Sequence, residues 1–161
     1  MEDIRFVTIT GEVNITKVDY YITRPKVPMN VYVYGIYQTD WIFIKGISAE
    51  NSRRFIVTLV CGQEYETNDN AFSMDVRYDF ESSQRKILFS YKSGGFWSDA
   101  TEITAFPFTI DTDFDLGIKV ELETFKVYVG GVYLTETDHT IEGADYLDIR
   151  GDVNVSKITF K

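Results

Sequence analysis

Hydrophobic and polar residues alternate with a period of two along most of this chain. The runs are Arg5 to Thr10, Asn30 to Ile36, Trp41 to Gly46, Phe55 to Val60, Ala71 to Tyr78, Lys86 to Tyr91, Leu116 to Glu121, Phe125 to Val129 and Val153 to Phe160. Successive side chains of a strand point to opposite faces, so each run can bury one face of a sheet and present the other outward. Almost nothing carries the 3.6-residue period of an amphipathic helix. Turn formers sit between the runs, at Asn68-Asp-Asn70, Gly94-Gly95, Asp111-Thr-Asp113 and Gly130-Gly131. The last pair separates Phe125-Lys-Val-Tyr-Val129 from Val132-Tyr-Leu134 and predicts a tight hairpin, because glycine takes positive φ without steric cost. Short strands spaced by about 8 to 12 residues predict an all-β antiparallel sandwich or barrel.

Composition supports this and excludes several functions. Twelve Phe, eleven Tyr and two Trp, beside many Val, Ile and Thr, suit a pleated, half-buried surface. A length of 161 residues corresponds to one core-bearing domain, with or without an appendage. The formal charge of -9 argues against nucleic acid or an anionic membrane surface as the main partner, since both need clustered positive charge. Cys61 is the single cysteine and His139 the single histidine, so no intrachain disulfide, cysteine-based zinc site or complete nucleophilic triad is expected. No metal, no cofactor and no catalytic residue is assigned. Asp75 and Glu102 are a carboxylate pair of the kind a glycosidase uses, but nothing else supports that chemistry, and the chain is read as a non-enzyme. No stretch of about 20 apolar residues predicts membrane insertion, and the first residues lack a signal-peptide pattern. The expected location is cytoplasmic, or outside the cell by non-classical secretion.

One internal repeat stands out. Thr8-Ile-Thr-Gly-Glu-Val-Asn-Ile-Thr-Lys17 aligns without a gap on Asp148-Ile-Arg-Gly-Asp-Val-Asn-Val-Ser-Lys157, and eight of ten pairs are identical or conservative. Two strands with a Gly turn can converge by composition. The alternative is that residues 1–20 are a strand resembling the closing strand of a preceding copy of the domain, or an N-terminal extension, with residues 21–161 forming the domain itself.

From Trp41 onward come Trp41-Ile-Phe-Ile-Lys-Gly46, Arg54-Phe-Ile-Val-Thr-Leu59, Asp69-Asn-Ala-Phe-Ser-Met-Asp-Val-Arg77, Gly95-Phe-Trp97, Phe106-Pro-Phe108, Phe125-Lys-Val-Tyr-Val129 and Leu147-Asp-Ile-Arg-Gly-Asp-Val153. In these blocks and their order the chain resembles the galectins, the β-sandwich lectins that bind β-galactosides. It implies a jelly-roll sandwich of two antiparallel sheets, with sugar held in a shallow groove on the concave face. There a Trp meets the apolar side of galactose and fixed polar groups read its hydroxyls.

Carried over by position, the resemblance places the carbohydrate site at Trp97, Arg77, Asp75, Ser73, Ser90 and Glu102. In the family's His-x-Asn-x-Arg strand the three positions are Ser73, Asp75 and Arg77. The Asn of the next strand is Ser90, and in the Trp-x-x-Glu-x-Arg segment Trp97 is followed by Ala100 and Glu102. Five of the seven positions differ from the pattern, and Arg77 and Trp97 remain. The side chain of Ala100 forms no hydrogen bond, which leaves Arg77 without the family's carboxylate, and Asp75 or Glu102 can replace it. The seven positions sum to -1, from Arg77 against Asp75 and Glu102, where the family pattern sums to +1. Weak or absent lactose binding and poor binding of sulfated or sialylated galactosides are therefore expected. Trp97 is expected to be exposed, while Trp41 and Phe106-Pro-Phe108 are expected in the core.

The resulting expectation is a galectin-like carbohydrate-binding module with altered or weakened β-galactoside specificity. The alternative is a galectin-fold protein-interaction domain that has lost sugar binding. Expected partners are glycans, either β-galactosides or other neutral sugars, and a homodimer mate or tandem-repeat neighbour.

Overall fold

The computed structural model describes residues 20–33, 40–81, 83–138 and 143–161. The Thr8 to Lys17 repeat segment and His139 lie outside them. In chain order the strands are β1 (Tyr20–Thr23), β2 (Met29–Tyr32), β3 (Trp41–Ser48), β4 (Arg54–Cys61), β5 (Asp69–Phe80), β6 (Ser83–Ser93), β7 (Phe96–Trp97), β8 (Thr101–Ile103), β9 (Asp113–Val120), β10 (Thr124–Val129), β11 (Val132–Asp138), β12 (Tyr146–Gly151) and β13 (Val153–Phe160). They form two antiparallel sheets, ordered β1-β13-β3-β9-β10-β11 and β2-β12-β4-β5-β6-β7, with β8 also pairing β6. The all-β sandwich expected from the alternation is the observed fold. No helix of the described residues is long and apolar enough to cross a membrane.

The sheets meet along the apolar phase of each strand. Phe55, Val57 and Leu59 of β4, Met74 and Val76 of β5, and Ile87 and Phe89 of β6 face Ile42 and Ile44 of β3, Leu116 and Ile118 of β9 and Ile158 of β13, all within 3% of full burial. Burying one such side chain stabilises the fold by about 1.5–3 kcal/mol, before entropy is counted. Phe72 from one sheet meets Phe125 from the other at 5.2 Å between ring centroids. Of the Phe106-Pro-Phe108 segment, Phe108 is in the core as expected and meets Phe55 and Phe114 edge-on at 5.4 and 5.3 Å, while Phe106 is half-buried against it and Pro107 is exposed. The hairpin at Gly130-Gly131 joins β10 to β11, as its glycines predict.

Two local expectations are corrected. Trp41 is not in the core. It lies half-buried on the outer face of the six-stranded sheet, stacked on Phe43 at 5.2 Å, while Ile42 and Ile44 take the inward phase. Both phases of β3 are apolar, and Lys45, which shares Trp41's phase and is exposed, decides which one faces water. Asn68-Asp-Asn70 is not wholly a turn, because β5 already begins at Asp69.

Candidate functional site

The seven-stranded sheet presents a polar outer face built by register. Ser73, Asp75 and Arg77 alternate on β5 and stand between Thr58, Ile56 and Arg54 on β4 and Ser90, Leu88 and Lys86 on β6. Directly paired residues of neighbouring strands point to the same side, so these nine side chains share one face. Ala71 is an extra residue on β5: Leu59 pairs Phe72, but Val60 pairs Asn70. This bulge shifts the phase and brings Asn70, paired with Lys92, onto the same outer face.

Asp75 is the hub of the charged end. Its Oδ1 accepts from Arg54 Nε at 2.7 Å and its Oδ2 from Arg54 Nη2 at 2.8 Å, and Arg77 Nε donates to Oδ2 at 2.8 Å. Phe80 lies against both guanidiniums, 4.5 Å from Arg54 and 5.5 Å from Arg77. The hydrogen bonds from Asp75 push the Arg54 pKa above its ordinary value, with partial burial opposing. Of the two carboxylates considered for Arg77, Asp75 is therefore its partner. Glu102, exposed on β8, instead accepts from Lys86 Nζ at 2.9 Å. The seven family positions sum to -1, and the structure adds two cations beside them. Arg54 and Lys86 join the cluster, so Arg54, Arg77 and Lys86 against Asp75 and Glu102 give +1. Asp75 is 7% exposed and already accepts three hydrogen bonds.

At the other end stands Trp97, 47% exposed beside Phe96 at 81%. The turn that delivers it is held by Asp69, whose carboxylate accepts from the amides of Gly94 and Gly95 at 2.9 and 3.1 Å. These two bonds lower the Asp69 pKa below the usual carboxylate value. Ser90 is half-buried, Ser73 is buried next to Thr58 with their hydroxyls 3.3 Å apart, and Ala100 is exposed. The structure thus puts Ser73, Asp75, Arg77 and Ser90 on one face, with Trp97 and Glu102 on the strands that pair with β6. Among the described residues no group of His, Cys, Asp or Glu has the arrangement to hold a metal ion.

Several residues of this face do not emerge from the sequence. Arg54 and Lys86 were findable, since each is in phase with the polar side of its own strand and flanks Arg77. Arg54 also lines a hollow of about 450 Å³ with Arg53, Ile56, Phe80, Arg150 and Asp152. Tyr65 gave no signal, because it lies in the irregular β4–β5 connection, yet its ring centroid is 6.3 Å from that of Trp97.

A family model described as galactoside-binding lectin matches residues 28–160. Human galectin-4 is 30% identical over 121 residues, which are 74% of this chain and 36% of that protein. The galactose-binding lectin l-1 of Anguilla japonica is 25% identical over 118 residues, 72% of this chain and 80% of the lectin. This chain therefore spans about a third of the length of galectin-4 but most of the eel lectin. In three dimensions the galectin LEC-6 of Caenorhabditis elegans superposes with a TM-score of 0.77 over 88% of this chain and 95% of its own, at 18% identity.

Proposed function

From the premise that this chain belongs to the galectins, we propose that it is a carbohydrate-binding module with altered or weakened specificity for β-galactosides. The observation that carries this reading is the exposed Trp97 at the edge of a polar sheet face. An indole presents a flat apolar surface to the C–H side of a pyranose, and neighbouring donors and acceptors choose among hydroxyls. The shift in specificity follows from what surrounds it. Ser73 and Ser90 are shorter than the His and Asn of the family pattern, Ala100 offers no hydrogen bond, and Asp75 is bound to two arginines. Each sugar hydroxyl gives up water on binding, so every missing partner lowers affinity. Trp97 and Glu102 are exposed, and Lys86 and the arginines around Phe80 are partly so, which combines neutral contact with a slight positive excess.

The proposed organisation is a recognition domain over residues 21–161, with residues 1–20 as the closing strand of a preceding repeat or an extension. Pairing with a second copy or repeat would raise avidity for multivalent glycans. A glycan array probed with the wild type and Trp97→Ala tests the reading. Binding of a glycan that Trp97→Ala abolishes is the expected result. Silence of the wild type on every glycan would instead favour a protein-interaction domain on the same fold.

A further inference from the structure

The β4–β5 connection, residues 62–68, lies across the sheet. On β2, Asn30 donates its side-chain amide to the Gln63 carbonyl at 2.7 Å. On β6, Lys92 Nζ donates to the Glu66 carbonyl at 2.7 Å. On β12, Arg150 Nη1 reaches the Glu66 carboxylate at 3.2 Å, and its guanidinium lies 4.3 Å from the centre of the Tyr65 ring. In the order β2-β12-β4-β5-β6-β7 the anchors on β2 and β6 are four strands apart, about 19 Å at the usual strand spacing. The segment must therefore pass over β4 and β5. Tyr65 touches Arg150 of β12 on one side and approaches Trp97 of β7 on the other, again four strands apart, which puts its ring above the middle of the face.

The floor beneath is buried although it belongs to an outer face. Thr58 and Asn70 are 0% exposed, Ser73 4% and Lys92 6%, and both amide atoms of Asn70 lack a hydrogen-bond partner. Polar residues on an uncovered sheet face would be wet. Here the strap covers them.

Building on the glycan reading, we infer that Tyr65 is a specificity-determining residue that occupies the space above Ser73 and Thr58 where a pyranose lying against Trp97 would reach the floor. A sugar ring held between two aromatic faces needs about 7–8 Å, two van der Waals contacts in series. The Tyr65 and Trp97 centroids are 6.3 Å apart and their planes are tilted by 51°, so no ring fits between them. A glycan that reads Ser73 or Asn70 must displace Tyr65, and one that does not binds along the outer side of Trp97.

Thiol accessibility tests the strap without requiring a ligand. With the free Cys61 replaced by Ser, a Ser73→Cys probe is alkylated by iodoacetamide in three chains: otherwise wild type, Tyr65→Ala, and Lys92→Met, which removes one anchor and keeps the ring. Labelling at least tenfold faster in Tyr65→Ala, and intermediate in Lys92→Met, is expected. Equal rates in all three overturn the inference. Glycan titration of the wild type, Tyr65→Ala and Lys92→Met, each with Ser73 and Cys61 intact, separates the two proposals. Faster labelling with a gain in lactose affinity in Tyr65→Ala supports both, whereas faster labelling with no glycan bound by any chain keeps the strap and removes the lectin reading.

Discussion

Replacing Asp75 by Ala takes away the one carboxylate that the Arg54 and Arg77 guanidiniums share. Asp75 accepts three hydrogen bonds of 2.7 to 2.8 Å from Arg54 and Arg77, whose side chains are 31% and 18% exposed. Removing one member of a buried ion pair costs about 3–5 kcal/mol. Water reaches both arginines and Phe80 still backs them, which moves the expected loss to about 2–3 kcal/mol. Asp75→Asn keeps the shape and part of the hydrogen bonding, so its loss is about 1–2 kcal/mol. Urea unfolding at neutral pH reads this as a lower midpoint with an unchanged slope. In thermal melts Asp75→Ala lowers Tm by about 5–10 °C for a domain of this size. A double-mutant cycle with Arg77→Ala separates the pair from simple truncation and returns a coupling of at least about 1 kcal/mol. A loss below about 0.5 kcal/mol for Asp75→Ala, or a coupling near zero, would refute the assignment of Asp75 as the hub.

Two further outcomes follow from the same geometry. Gly151, the last residue of β12, has φ +96, and a Cβ added there would fall 2.8 Å from the Phe55 Cα and closer still to the Arg54 carbonyl oxygen, so Gly151→Ala lowers stability by more than about 2 kcal/mol in chemical denaturation. Asp69 has its pKa lowered by the two glycine amides, so its bonds contribute stability above the ordinary carboxylate pKa and are lost as pH falls through the lowered one. In a Trp41→Phe background, Trp97 fluorescence is steady from neutral pH down to about 4 and changes below it, and Asp69→Asn shows the changed signal already at neutral pH.

Alternation makes most of the sandwich legible in the sequence. Core strands such as β4, β5, β6 and β9 each carry one apolar and one mixed phase; the apolar phase is buried in all four, and on β4 and β5 part of the mixed phase is buried as well. β3 is harder to orient because Trp41, Phe43, Ile42 and Ile44 make both phases apolar, leaving Lys45 as the informative residue. The positions of Ser73, Asp75 and Arg77 relative to one another follow from spacing alone, since residues two apart on a strand share a face. What Asp75 binds does not follow from spacing. Its partner Arg54 comes from β4, 21 residues earlier, and only pairing register brings the two together. Tyr65 is the least legible of all, because it lies in a connection without periodicity, where its ring meets Arg150 and the neighbouring Glu66 is held by Arg150 and Lys92, from strands far apart in sequence.

The two tryptophans make the central claim directly measurable, since Trp97 stands on the seven-stranded sheet and Trp41 on the six-stranded one. Their indole N–H signals in a nitrogen-15 correlation spectrum are followed as lactose is added. The account predicts a saturable shift of the Trp97 signal at high concentration, about millimolar or weaker, with Trp41 unmoved. A low-micromolar dissociation constant would contradict the weakened specificity, and saturable binding that leaves Trp97 unmoved would contradict the site.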